Sequence, residues 1–382
     1  MIPVLRGIVD PTRSADPAVP LLVLGPSLGT TSDAWAPAAQ LLAASFRVLR
    51  FDLPGHGVSP AASAAFTVAE LAAGVLALVD SLGDGRFSYA GASFGGTVGI
   101  ELALGAAKER VDGLAVVCSN AKIGETDAWL ARAEQVRRQG TASLVAATSA
   151  RWFDPGFLAR EPDLSGRVLG DLLDIDDESY ALCCEALAAF DRTADTGSLA
   201  GRVLVVAGES DPVVTPDAAA RLADTAPGAR FEALAETGHQ AQIERPRLLA
   251  ELIRATLGAS RYDAGMTVRR AVLGEAHVEA SLAGITPETA DFQRFITEYA
   301  WGSVWTRPGL DRRMRSAVTI ASLVTARHWH ELELHLHAAR RNGLARAELT
   351  EILLQTAIYA GVPAANTAFG IATRVFAEQD RE

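Results

Sequence analysis

The chain has 382 residues, of which 49% are hydrophobic, and it carries a formal charge of −11 at pH 7. The acidic balance argues against a nucleic-acid partner, since binding to phosphate needs clustered positive charge. No apolar run approaches the roughly 18 to 20 residues of a membrane span, and the start of the sequence lacks a signal-peptide pattern. We therefore expect a cytoplasmic protein that binds no membrane and has enough apolar sequence for two domains.

The first part of the chain, up to about residue 258, alternates short apolar runs with helical stretches, which predicts an α/β domain. Val/Leu-rich runs that end in turn residues are typical of buried parallel strands. They are LLVLG (21–25), RVLRFD (47–52), LAVVCSN (114–120) and RVLVVAG (202–208). Residues 67–83 predict a helix with Thr67 as N-cap, Glu70 completing a capping box and Gly83 as the stop.

From about residue 125 to 195 the strand pattern gives way to helical stretches, which predicts a helical cap inserted into the sheet. The α/β pattern ends near residue 258, and residues 259–267 are interpreted as a linker. Residues 268–382 contain amphipathic patterns alone and predict a second, all-α domain. Its predicted helices cover 289–302, 311–343 and 347–361.

Two residue types limit the chemistry. Cys118, Cys183 and Cys184 form neither an even-numbered framework nor a C-x-x-C motif, so we expect packing residues. The lysines are Lys108 and Lys122, so the predicted all-α domain contains none that could form a Schiff base or transfer a proton.

The segment FSYAGASFGGTVGIELA (87–103) places Ser93 in a G-x-S-x-G turn between a strand and a helix. Asp211 and His239 follow in the order that a nucleophile-elbow hydrolase requires. A serine hydroxyl is a weak nucleophile, so His239 must take its proton while Asp211 holds the imidazole tautomer. Glu209 is the alternative acid, and Asp211 is preferred because it lies deeper in the loop. The alternative is a serine in a glycine-rich turn with a surface histidine and aspartate.

The oxyanion of such a reaction needs two backbone donors. One should be the amide of Phe94, directly after the nucleophile, and the other that of Leu28 in the turn GPSLGTT (25–31).

Residues 1–257 resemble the 3-oxoadipate enol-lactonases, which are α/β hydrolases with a helical cap. The segments that carry the resemblance are GPSLGTTSDAW, FRVLRFDLPGHGVS, GASFGGTVG, TDAWLARAEQVRRQG, RWFDPGF and ESYALCCEALAAFD. The chain departs from the family pattern at Pro26 and in FDLPGHG, which concerns fine substrate preference. The resemblance implies that Trp129, Arg132 and Arg151 of the cap bind the substrate, an arginine clamping its carboxylate. For either arginine alone, a solvated position on a cap helix is the alternative.

Four of the seven histidines lie in RHWHELELHLH (327–337). On a helix at about 100° per residue, His328, Glu331 and His335 fall within roughly 60° of one another on the apolar side. His330 and His337 point the other way and are interpreted as surface residues. For the inward group three interpretations stay open: a metal site without a complementary helix, a satisfied core histidine, and an acid/base pair.

Residues 266–375 resemble the 4-carboxymuconolactone decarboxylases along nearly the whole domain, including GMTVRRAVLGEAHVEASL, FQRFITEYAWGSVWTRPGLDRRMRSAVTIASL, ELELHLHAARRNGL and LLQTAIYAGVPAANTAF. The wider superfamily includes peroxidases that use two cysteines. This chain has His328 and Glu331 at those two positions, which argues against peroxidase chemistry. The resemblance implies a decarboxylation that needs no cofactor or metal, with His335 as the acid and Glu331 orienting it. His277, Arg307 and His328 are implied substrate contacts, although His277 in a turn-like GEAHV and Arg307 in a helix-start loop could be structural.

The two resemblances imply one route, because the decarboxylase product is the lactonase substrate. The expected fold is an α/β hydrolase domain with a helical cap followed by an all-α carboxymuconolactone-decarboxylase-like domain. The expected protein acts on small lactone carboxylates and forms a homo-oligomer through its C-terminal domain. One alternative is a monofunctional lactonase or esterase with a non-catalytic helical oligomerisation domain. A cofactor-free haloperoxidase or general esterase is another.

Overall fold

The computed structural model describes residues 1–11, 19–258, 261–307 and 309–380. The chain divides into two compact units, with the first ending at Gly258 and the second starting at residue 259. The α/β pattern of the sequence ends at the same place. No helix among the described residues is long and apolar enough to cross a membrane.

The described strands of the first unit form one seven-stranded sheet in the order β1-β3-β2-β4-β5-β6-β7. Strand β1 is antiparallel to β3, and every other pair is parallel. The strands are β1 Gly7–Val9, β2 Leu21–Gly25, β3 Arg47–Phe51, β4 Phe87–Ala92, β5 Val111–Val117, β6 Arg202–Gly208 and β7 Arg230–Leu234. All four apolar runs picked out in the sequence are strands of this sheet, and the carboxyl ends of the central strands meet at one edge.

Helices of the first unit cover the sheet and build the cap. They are α1 Ala36–Leu42, α2 Val68–Ser81, α3 Phe94–Leu104, α4 Thr126–Gln139, α5 Val145–Trp152, α6 Phe157–Arg160, α7 Pro162–Asp171, α8 Asp177–Ala188, α9 Pro216–Thr225, α10 Ala241–Glu244 and α11 Pro246–Leu257. Thr67 caps α2 and Glu70 closes the capping box, which confirms that prediction. Helices α4 to α8 lie between β5 and β6, so the predicted helical insertion is present. The three cysteines are buried and free.

The described residues of the second unit form helices without a strand. These are α12 Arg261–Leu273, α13 Glu275–Ala283, α14 Pro287–Ile296, a π-helical segment Thr297–Trp305, α15 Arg312–Ala326, α16 Trp329–Arg341, α17 Arg346–Ala360 and α18 Val362–Gln379. A core formed by α15, α16, α17 and α18 buries apolar side chains such as Ile320, Leu336 and Leu353. The all-α prediction holds for the described part of this unit.

The predicted linker differs from the structure. Residues 259–260 lie outside the described residues, but residues 261–267 form the first turns of α12. Gly265, which reads as a helix breaker, lies against the π-helical segment, where an added Cβ would come within 2.1 Å of the Thr297 carbonyl oxygen. Gly302 returns the contact at the Arg261 carbonyl. These glycines therefore serve close helix packing, a role that sequence alone does not separate from a break.

The single helix predicted over 311–343 is two helices. Arg327 adopts a left-handed conformation (φ 61°) at the end of α15, and His328 is the non-helical N-cap of α16. No glycine or proline marks this break, which is why the periodic pattern hid it. Consequently His328 does not share a helix face with Glu331 and His335.

Candidate active sites

Ser93 lies directly after the central strand β4, at the first turn of α3, and is buried. Its backbone is strained, with φ 51° and ψ −118°, as the sharp turn of a nucleophile elbow requires. The turn depends on its glycines: a Cβ on Gly91 would come within 2.2 Å of the Gly95 backbone, and one on Gly95 within 2.4 Å of the Gly25 carbonyl oxygen. The sequence therefore folds here so that the hydroxyl is presented at the sheet edge.

The structure brings Ser93, His239 and Asp211 together. His239 Nε2 lies 2.8 Å from Ser93 Oγ, and His239 Nδ1 lies 2.8 Å from Asp211 Oδ2. All three side chains are buried. The other oxygen of Asp211 accepts hydrogen bonds from the backbone N–H groups of Val213 (2.7 Å) and Val214 (3.1 Å). In this network Nδ1–H donates to Asp211 and Nε2 is free to accept the serine proton.

The predicted oxyanion donors are available. Within the described chain, no hydrogen bond uses the backbone N–H of Leu28 or of Phe94. Gly95 N–H donates to the Pro26 carbonyl (3.0 Å), which fixes the turn that carries Leu28 beside the elbow. Two unengaged N–H groups next to a nucleophile are what a tetrahedral oxyanion needs.

His56 is a supporting residue that the sequence analysis did not identify. It is fully buried, its Nε2 accepts a hydrogen bond from Gly29 N–H (3.2 Å), and its Nδ1 lies 2.9 Å from the Pro54 carbonyl oxygen. Burial lowers the pKa of His56 to about 4, so the ring is neutral and donates from Nδ1. It thereby fixes the turn that follows Leu28. The segment FDLPGHG contained this residue, but a lone histidine in a loop gives no signal of its contact.

A narrow pocket lies between the triad and the cap. Its lining residues are Leu28, Ser93, Trp129, Arg132, Thr148, Arg151, Trp152, Tyr180, Val213 and His239. Arg132 donates from Nε to the Tyr180 hydroxyl (2.9 Å) and lies over the rings of Trp129 and Tyr180. No carboxylate among the described residues forms an ion pair with it. Arg151 also lines the pocket but is exposed, and Glu209 is exposed outside it.

Glu244 connects the histidine loop to the cap and was also missed. Its carboxyl accepts hydrogen bonds from Gly238 N–H (2.9 Å) and Asp154 N–H (2.8 Å). Burial raises the pKa of Glu244 to about 7. Gln240, which directly follows His239, donates its N–H to the Trp152 carbonyl (3.1 Å). The position of His239 is therefore tied to the cap.

In the second unit, His335 lies one turn after Glu331 on α16 and is partly buried. Burial lowers the pKa of His335, the charge of Glu331 opposes that effect, and His277 adds to it. His277 on α13 therefore lies close to His335. Within the described structure His335 Nδ1 has no hydrogen-bond partner. Glu331 itself is exposed.

The other predicted residues of this unit are placed differently. Burial lowers the pKa of His277, and the charges of Arg269, Arg341 and His330 lower it further. His330 is exposed, as predicted, yet faces His277 closely enough to act on it. His337 lies 3.3 Å from Glu378, on α18.

His328 and Arg307 are exposed. No hydrogen bond or ion pair between described residues joins either side chain to His335, and the Arg307 carbonyl accepts from Arg315 (2.7 Å). The described residues contain no group of three or more His, Cys, Asp or Glu side chains arranged to hold a metal ion.

Two family descriptions match the chain: Alpha/beta hydrolase family at residues 22–252 and Carboxymuconolactone decarboxylase family at residues 290–374. The 3-oxoadipate enol-lactonase 2 of Acinetobacter baylyi is 33% identical over 238 residues, which is 62% of this chain and 88% of that protein. The 4-carboxymuconolactone decarboxylase of Acinetobacter baylyi is 48% identical over 116 residues, which is 30% of this chain and 87% of that protein.

Among solved structures, the enol-lactonase from Burkholderia xenovorans superimposes with a TM-score of 0.63 at 33% identity. The match covers 66% of this chain and 96% of that one.

Proposed function

The chain belongs to the alpha/beta hydrolase family, with a second part that belongs to the carboxymuconolactone decarboxylase family, and we propose that it is a bifunctional enzyme. The second unit decarboxylates 4-carboxymuconolactone to 3-oxoadipate enol-lactone, and the first unit hydrolyses this lactone to 3-oxoadipate. One observation carries the proposal. The same chain contains a buried Ser93–His239–Asp211 triad under a cap, in a relative of the enol-lactonases, and a second unit related to the decarboxylase that produces the enol-lactone.

For hydrolysis, Ser93 Oγ attacks the lactone carbonyl while His239 takes its proton. The oxyanion accepts hydrogen bonds from the Leu28 and Phe94 amides. The ring C–O bond then breaks, and the leaving enolate takes the proton from His239 and settles to a ketone. Water, activated by His239, cleaves the acyl-enzyme and releases 3-oxoadipate, so Ser93 regains its proton.

Arg132 supplies the positive charge for the carboxylate that the lactone carries. It lines the pocket beside Ser93, and the hydroxyls and rings around it orient the guanidinium without neutralising it. The protein as a whole is acidic and repels anions. An arginine in a pocket that has no acidic partner provides a local binding site for an anion. Arg151, more exposed on the pocket wall, is the secondary contact, and Trp129 packs against the ring.

For decarboxylation, the bond between the ring carbon and the leaving carboxylate breaks, and its electron pair moves through the C=C bond into the lactone carbonyl. The resulting dienolate takes one proton on carbon. His335 supplies that proton, since it is partly buried and its Nδ1 is unengaged. The charge of Glu331 favours the protonated imidazole, while burial and His277 oppose it.

The second unit also exposes large apolar side chains at the end of α14, in the π-helical segment and at the end of α17. Phe292, Phe295, Tyr299, Ile358 and Tyr359 are each more than half exposed. Phe295 and Tyr299 stack on each other at the surface, and exposed apolar groups of this kind can mark an interaction surface, which supports the proposal of a homo-oligomer formed through this unit. Cytoplasmic location and the lack of nucleic-acid or membrane partners remain predictions.

The monofunctional alternative predicts an intact lactonase with a silent second unit. Purified chains would be given 3-oxoadipate enol-lactone and, separately, 4-carboxymuconolactone. Ser93→Ala should abolish lactone hydrolysis, while Ser81→Ala, at the exposed end of α2, should not. His335→Ala should abolish CO2 release, while His337→Ala, two positions along α16, should retain it. Equal CO2 release by both histidine variants would refute the assignment of His335.

A further inference from the structure

Arg269, on α12, is a buried cation without an acidic partner in the described structure. The residue is 6% exposed. The Nη1 group donates to Thr297 Oγ1 (3.2 Å), and the Nη2 group donates to Ser281 Oγ (2.9 Å) and Gln293 Oε1 (3.3 Å). All three acceptors are neutral, so the guanidinium charge is not balanced.

The neighbouring arginine shows the contrast. Arg270 is more exposed and pairs with Glu275 (2.9 Å) and Glu279. Exposed cations need such partners least, because water solvates them, whereas a buried charge without a counter-ion is costly. Burial accordingly lowers the pKa of Arg269. A buried side chain that carries this cost is explained if an anion joins it during function.

One edge of the Arg269 guanidinium is suited to a carboxylate. Nε has no hydrogen-bond partner among the described residues, and Nη2 on the same edge makes its longest bond to Gln293. A carboxylate accepts from both nitrogens of such an edge and is a stronger acceptor than a neutral amide. Gln293 also lines an open pocket of about 320 Å³ together with Tyr262. Displacing the Gln293 amide would therefore connect this pocket to the guanidinium.

Arg269 is also coupled to the histidines. Its charge lowers the pKa of His277, which in turn lowers the pKa of His335. Ser281, bonded to Arg269, lies four residues after His277 on α13, and residues at this spacing share a helix face. Arg269 and His335 are thus both close enough to His277 to be coupled to it electrostatically.

We propose that Arg269 binds the carboxylate that the decarboxylase substrate retains. This inference rests on the proposed function of the second unit. The substrate carries two carboxylates, and a cation that gripped the leaving one would stabilise the ground state and slow the loss of CO2. Binding the other one leaves the reacting carboxylate in apolar surroundings and orients the ring toward His335.

The test compares Arg269→Gln with the control Arg270→Gln, at the more exposed neighbouring arginine. The rate of CO2 release would be measured with 4-carboxymuconolactone and with its monomethyl ester on the acetate arm. Arg269→Gln should raise KM for the diacid roughly 10- to 100-fold, the value of a charge-assisted pair, and leave KM for the ester nearly unchanged. Arg270→Gln should match the wild type on both substrates.

The other possible results also separate a substrate-binding role of Arg269 from a structural one. Equal losses on diacid and ester, or an unchanged KM with an altered oligomer mass, would overturn the inference in favour of a structural or interface role. If Arg269→Gln does not fold, Arg269→Lys keeps the charge without the fork, and an intermediate KM for the diacid supports the proposal while a wild-type KM overturns it. Lack of CO2 release by the wild type would refute the function instead. Calorimetry with the same diacid would then judge the inference: weaker binding by Arg269→Gln than by Arg270→Gln supports it, and equal binding by the two variants overturns it.

Discussion

The triad geometry makes a sharp prediction for Asp211→Asn. The Oδ1 atom of Asp211 accepts from two backbone N–H groups, those of Val213 and Val214, while Oδ2 faces His239 Nδ1 at 2.8 Å. An asparagine would keep its carbonyl oxygen under the two donors, because its NH2 group would otherwise oppose them. Its NH2 group would then point at His239 Nδ1, which would have to accept, so the ring proton would move to Nε2.

With the proton on Nε2, His239 cannot accept the proton of Ser93. We expect kcat for enol-lactone hydrolysis to fall about 10³- to 10⁴-fold, which corresponds to roughly 4 to 5.5 kcal/mol in the barrier. KM should change little, because Asp211 does not line the pocket. Steady-state kinetics with the enol-lactone would measure both. A loss below 10-fold in a folded variant, or an equal loss in the exposed control Glu209→Gln, would refute the reasoning.

Three further outcomes are expected. Arg132→Met should raise KM for the enol-lactone roughly 10- to 100-fold, through loss of the carboxylate contact, with a smaller change in kcat; the reverse split in initial-rate kinetics would contradict it. If His335 donates the proton, kcat for CO2 release falls as pH rises above the lowered pKa of His335. Glu331→Gln removes the charge that raises this pKa, so the fall in kcat should shift to lower pH. An unshifted fall in the pH–rate profile would count against the pair. His56→Ala should lower kcat for lactone hydrolysis about 10- to 100-fold by releasing the turn that carries Leu28, and a folded variant, shown by circular dichroism, with wild-type kcat would refute that role.

The strands and the triad of the first unit could be predicted from the sequence, for physical reasons. Parallel strands buried on both faces must be continuous apolar runs, and an elbow needs small residues around Ser93. Chain order then identified Asp211 and His239. His56 and Glu244 could not be found this way, because their roles depend on backbone N–H groups far along the chain. Nothing local in their sequence marks such contacts.

The second unit was less predictable. Periodicity located the helices but not the left-handed Arg327, so His328 was placed on a face that it does not share. Gly265 suggested a linker where it serves helix packing. Arg269 carried no motif, and it stands out only when its burial and neutral partners are known. Tertiary contacts that single out a buried charge are invisible to a one-dimensional pattern.

The most direct measurement gives the purified wild-type chain 4-carboxymuconolactone and follows CO2, enol-lactone and 3-oxoadipate over time. The account predicts one CO2 and one 3-oxoadipate per substrate, with Ser93→Ala accumulating enol-lactone after normal CO2 release and His335→Ala releasing none. A wild-type chain that hydrolyses added enol-lactone but never releases CO2 from 4-carboxymuconolactone would contradict the bifunctional account.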